Sequence, residues 1–110
     1  MNPRIVSLEK MIDGPRDGAL LRFSLGNEYL KEGELAKAEI SFRAAVDRDK
    51  HYSAAWKALG KTLADAGQPE SALAAYEQGI TVAEARGDIQ AAKEMTVFAK
   101  RIRKARGAPD

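Results

Sequence analysis

The chain has 110 residues, the size of one domain, with no cysteine, a net charge of +2 at pH 7, and charged residues of both signs making up 31 % of it. That balance excludes disulfide scaffolds, thiol catalysis and cysteine-based zinc sites, and it is too weakly basic to imply a nucleic-acid partner by charge alone. Of its 49 hydrophobic residues 20 are alanine, while Ile, Val and Thr together number only 13, so the composition predicts an all-α fold. No apolar run approaches signal-peptide or membrane-spanning length, which makes the cytoplasm the expected compartment and a membrane partner unexpected.

Asn2-Pro3 reads as an N-cap followed by a proline in the first turn, opening a leading helix over residues 3–12 that carries Ile5, Val6, Leu8, Met11 and Ile12. Gly14-Pro15-Arg16-Asp17-Gly18 then breaks the chain. Over 19–32, Leu21, Leu25 and Tyr29 recur at four-residue steps and share a helix face, and Gly33 stops that helix. Over 35–49 the face is Leu35, Ala38, Phe42, Ala45 and Val46. A third helix over 53–66 presents Trp56, Leu59 and Leu63 before Gly67; a fourth over 69–86 opens with Pro69 and presents Leu73, Tyr76 and Ile80. Gly87 closes it. Asp88 can cap a last helix, running to about Arg106, whose apolar stripe is Ile89, Ala92, Met95, Ala99 and Ile102 with Phe98 alongside.

These middle helices repeat. An offset of 34 residues pairs Leu25 with Leu59, Gly26 with Gly60, Gly33 with Gly67, Ala38 with Ala72, Phe42 with Tyr76, Ala45 with Gly79 and Val46 with Ile80. The matches fall on apolar and small residues, where helices must approach closely, and the aromatics fill the space between. The segment from Ala19 to about Arg86 resembles two tandem tetratricopeptide repeats. In the second unit the family's pattern reads Trp56, Leu59-Gly60, Gly67, Ala72, Tyr76 and Gly79; in the first, Leu25-Gly26, Tyr29, Gly33, Ala38, Phe42 and Ala45. Arg22 stands in the tryptophan slot of the first unit, Leu63 replaces an aromatic, Gly79 replaces an alanine, and Lys50 and Glu84 stand where a closing proline is usual. The missing proline after the fourth helix predicts that it runs long, up to Gly87.

Two helix pairs leave apolar faces at both ends, and the flanking helices can cover them. The expected fold is therefore a right-handed α–α superhelix of five helices in one domain over 1–110. Its parts are a leading helix and loop (1–18), repeats at 19–52 and 53–86, a capping helix (87–106) and a tail (107–110).

Catalytic constellations are lacking. His51, the sole histidine, has no partner at motif spacing and reads as an exposed turn residue. The serines sit in no nucleophile elbow, Gly14–Gly18 lacks the spacing of a phosphate loop, and the acidic residues lack metal-loop spacing. No enzyme activity, metal or cofactor is expected. The resemblance instead implies a non-catalytic adaptor whose first helices line a concave groove for a peptide or protein segment. On the first unit the groove positions are Leu20, Phe23, Asn27, Leu30 and Lys31; on the second they are Ala54, Lys57, Lys61, Ala64 and Asp65. Lys57 and Lys61 lie one above the other and, with Asn27, can meet a carboxylate, while Phe23 and Leu30 can take an apolar side chain. Chaperone-tail-binding members of the family carry a basic residue where Phe23 stands and an asparagine where Ala58 stands, so their carboxylate clamp is not reproduced. The competing reading packs Phe23 and Leu20 beneath the leading helix and leaves the lysines solvated.

Residues 88–110 carry a net +3, against −1 for the rest. Lys100, Arg101, Arg103, Lys104 and Arg106 form a basic helix end, either a solvated face favourable near a helix C-terminus or a contact for nucleic acid as an accessory subunit. A third reading is self-association of the end faces, making the protein a homodimer or homo-oligomeric structural subunit; otherwise a monomer or weak homodimer is expected.

Overall fold

Six helices make up the regular structure of residues 2–107, the part that the computed structural model describes: α1 (Pro3–Glu9), α2 (Ala19–Lys31), α3 (Leu35–Arg48), α4 (Ser53–Asp65), α5 (Pro69–Ala85) and α6 (Ile89–Ala105). The count is six rather than the expected five, because each repeat supplies two helices and the flanking helices add two. The expected tail lies, beyond Gly107, outside the described residues.

Each helix begins and ends for a local reason. The Asn2 side chain caps α1 by accepting a 2.8 Å hydrogen bond from the Arg4 amide. That helix ends at Glu9, short of the expected Ile12. The amides of Met11 and Ile12 reach back only three residues, to Leu8 and Glu9, and Asp13 turns the chain with a φ of 67°. Both apolar side chains still pack on the core, which is why the helical spacing runs past the helix. Gly33, Gly67 and Gly87 have φ of 74°, 76° and 75°, a region open to glycine at little cost. At each the following amide returns to a carbonyl five residues earlier: Glu34 to Tyr29 at 2.9 Å, Gln68 to Leu63 at 2.9 Å, Asp88 to Ala83 at 2.8 Å. One Schellman turn thus closes α2, α4 and α5. As the missing proline predicts, α5 is longer than its counterpart: 17 residues against 14 in α3.

The core lies between helices. Ala38, Phe42 and Ala45 on α3, with Ala72 and Ala83 on α5, are completely buried. A Cβ on Gly26 would stand 2.4 Å from the Phe42 ring, and one on Gly60 would stand 2.5 Å from the Tyr76 ring. Gly79 departs from alanine because α6 presses there: its Cβ would lie 2.5 Å from the Met95 sulfur and 2.8 Å from the Trp56 Cβ. Trp56 itself is half-buried against this core, its Nε1 donating to the Lys50 carbonyl at 2.9 Å. In the matching slot of the first repeat, Arg22 donates to Asp17 from Nε and Nη2, both at 2.8 Å. The two residues differ in chemistry but act alike, since each ties its helix to the preceding loop.

The flanking helices dock differently. From α1 and its cap, Asn2 Nδ2 donates to the buried Glu28 carboxylate at 3.2 Å and Arg4 lies 3.4 Å from it, while the Tyr29 hydroxyl donates to Glu9. Lys31 and Asn2, hydrogen-bonded to Glu28, hold that carboxyl below its ordinary range, and burial next to Glu9 pushes the Tyr29 hydroxyl up to about 12. At the other end, α6 buries Ala92, Met95 and Ala99, and its Arg103 and Arg106 reach Glu77 and Glu70 of α5 at 3.3 and 2.8 Å. The described chain measures 46 × 29 × 18 Å. No described helix is long and apolar enough to cross a membrane.

Candidate functional site

Helical spacing sends one face of α2, α4 and α6 to the same side of the array. Phe23, Asn27 and Leu30 come from α2, Ala54, Lys57, Ala58 and Lys61 from α4, and Phe98 from α6; together they line a groove of about 460 Å³. A second depression of about 320 Å³ continues it along α4 and α6, lined by Lys61, Ala64, Asp65, Tyr76, Phe98, Arg101 and Ile102. Lys61 and Phe98 border both. The Phe98 ring stands 5.7 Å from the Tyr76 ring, and burial pushes the Tyr76 hydroxyl up to about 12.

Of the residues expected from spacing, Phe23, Asn27, Leu30, Lys57 and Lys61 are brought together, and Asp65 joins them in the second depression. Leu20 and Lys31 line neither compartment. Leu20 is 70 % exposed, so the leading helix does not cover it. Lys31 turns to Glu28 at 3.1 Å. Phe23 is half-buried, its ring 4.9 Å from Tyr52 and 5.8 Å from Phe42, and so packs along the seam between the repeats.

The two groove lysines are already paired. Lys57 Nζ donates to Glu94 Oε1 of α6 at 2.9 Å, and Lys61 Nζ donates to Asp65 Oδ2 at 3.1 Å. The Lys57 hydrogen bond holds the Glu94 carboxyl below its ordinary range. Phe98 and Arg101 belong to the groove, and Glu94 reaches its edge through Lys57; none of the three was expected there. Their spacing matches that of Lys57, Lys61 and Ala64, but 37 residues on rather than the 34 of the repeat.

The bases of the last helix do not form one patch. Arg103 and Arg106 pair with α5, the Arg101 guanidinium lies 5.8 Å from the centre of the Phe98 ring, and Lys100 and Lys104 are exposed with no ion pair among the described residues. His51 is exposed, and the described residues contain no group of three metal-type ligands.

An array of helix pairs whose first helices share one concave side defines a helical-repeat fold. A family model described as tetratricopeptide repeat matches residues 19–52 and 53–86. The chain is 46 % identical over 102 residues to a TPR repeat-containing protein of Pseudomonas aeruginosa, covering 93 % of this chain and 97 % of that one. A protein of Bordetella parapertussis of known solution structure is similar at 41 % identity, with a TM-score of 0.80 over 96 % of this chain and 91 % of that one. A tetratricopeptide repeat domain protein of Salinibacter ruber, known from a crystal structure, aligns at 25 % identity and a TM-score of 0.74, covering 80 % and 98 %. The chain belongs to the tetratricopeptide repeat family, whose members are generally protein–protein interaction modules and non-catalytic scaffolds.

Proposed function

We propose that this protein is a non-catalytic adaptor that holds a segment of another protein in the groove formed by α2, α4 and α6. One observation supports this above the rest: the apolar residues Phe23, Leu30, Ala58 and Phe98 from three helices face a common concavity, with polar groups at its edges. The frame beneath is rigid, since the helices carrying them are locked by the buried small residues of the seams, so a ligand would find the surface already formed.

The test is selection of binders from a random peptide library, followed by amide shift mapping on isotopically labelled protein. Shifts should centre on Phe23, Asn27, Leu30, Ala58 and Phe98. Ala54→Arg, a change at an exposed helical position on the groove wall, should abolish binding and leave the circular dichroism spectrum unchanged. Shifts confined to another face, or undiminished binding by Ala54→Arg, would overturn the reading.

A further inference from the structure

The charges around the groove are distributed so that its two compartments differ. In the larger one, Lys57 is neutralised from across the groove by Glu94, a residue of the capping helix, and Lys61 is neutralised by Asp65 on its own helix. The first pair is not a helix-surface accident. It joins two helices, and both side chains are about two-fifths exposed, at 38 % and 40 %. What remains for a ligand there is the apolar floor and the uncharged amide of Asn27. In the smaller compartment, on the far side of Phe98, Arg101 is exposed and has no carboxylate within ion-pair distance among the described residues. Its guanidinium lies near the aromatic face, which orients a planar fork well suited to a carboxylate.

We infer that the groove selects a segment with two neighbouring features: an uncharged apolar side chain seated among Phe23, Leu30, Ala58 and Phe98, and an acidic side chain beyond it held by Arg101, with Glu94 excluding carboxylates from the first compartment. This rests on the groove being the binding surface. Glu94 acts as a built-in competitor. A ligand carboxylate approaching Lys57 must displace a partner already at 2.9 Å, and displacement recovers little because one ion pair replaces another. An apolar side chain displaces nothing. At Arg101 a carboxylate gains a partner that the described chain does not supply.

A library of N-acetylated, C-amidated hexapeptides, varied over apolar, acidic and basic residues, tests this with wild type, Glu94→Gln and Arg101→Glu side by side. The wild type should enrich peptides pairing an apolar residue with Asp or Glu at a fixed spacing. Arg101→Glu should weaken such peptides by about fivefold, the scale of one exposed ion pair, and turn the acidic preference to Lys or Arg. Glu94→Gln should admit Asp and Glu at the apolar position. Both substitutions are at exposed or half-exposed helical sites, and unchanged helicity establishes that the variants fold. Enriched peptides that map to the groove but keep the same charge preferences in both variants overturn this inference alone. Absence of enrichment by any of the three proteins overturns it together with the groove reading.

Discussion

At the scale of residues, glycine serves two separate ends in this chain. Gly60 is a matter of space, since a Cβ there meets the Tyr76 ring at 2.5 Å. Gly60→Ala should therefore destabilise the protein by about 1–3 kcal/mol in denaturant melts, the cost of overpacking a filled seam. Gly33 is a matter of conformation. A Cβ there meets nothing within 4 Å, but its φ of 74° disfavours any side chain, so Gly33→Ala should cost about 1–2 kcal/mol by strain alone. The double variant should show near-additive losses, because the two costs have different origins. Asp17 carries a third kind of effect. Its carboxyl accepts from Arg22 and from the Asp13 amide, which hold it well below its ordinary value of 3.8, with Arg48 close by. A depressed folded-state value means the stabilisation is complete above the ordinary range and is lost as pH falls through the lowered one. Asp17→Asn should accordingly lower Tm at neutral pH and flatten the acid limb of the Tm profile below about pH 5. A variant with the same acid limb as wild type would show that the Asp17 clasp does not govern it.

At the scale of elements, α6 closes the array by covering α5 with Met95 and Ala99 and by pairing Arg103 and Arg106 with Glu77 and Glu70. Deleting residues 88–110 uncovers that face, and the expected result is aggregation or a much lower Tm. A soluble truncation with unchanged Tm would contradict the capping role. The inner four helices were legible in the sequence because each carries a repeated set of packing residues and ends at a glycine or a polar turn. The end of α1 was not, since Met11 and Ile12 keep a helical spacing while packing from a turn. Of the groove, the share from α2 and α4 follows from repeat spacing. The share from α6 does not: Phe98 belongs both to the apolar stripe and to the groove wall, and only the packing of α6 on α5 and α4 decides which face it serves. Ion pairs across helices, such as Lys57 with Glu94, leave no periodic trace at all. Leu20 and Lys31 fit the spacing and miss the groove, because a position on the right face near a helix end can still turn outward or find a neighbour on its own helix.

At the scale of the whole molecule, the most exposed large apolar residues, Leu20, Ile40, Ile89 and Val97, lie on three different helices. Ile89 and Val97 share one depression with Glu84 and Lys93 on its wall, a patch of one helix face that falls short of a stable dimer interface. Sedimentation equilibrium should return the mass of one 12.0 kDa chain across a wide concentration range. A mass rising with concentration would instead point to association through an end face.

The length of α5 bears on how such a molecule can grow. Its three residues beyond α3 add about 4.5 Å of helix, so α6 starts 36 residues after α4 where α4 starts 34 after α2. A duplication between the repeats would therefore keep the 34-residue spacing, and one after α5 would have to absorb a different one. Another copy of residues 53–86 spliced after Lys50-His51-Tyr52, with its α5 shortened to the span of α3, would meet matching neighbours on both sides. The same copy spliced after Arg86 would follow the longer α5 and meet α6 at the changed spacing.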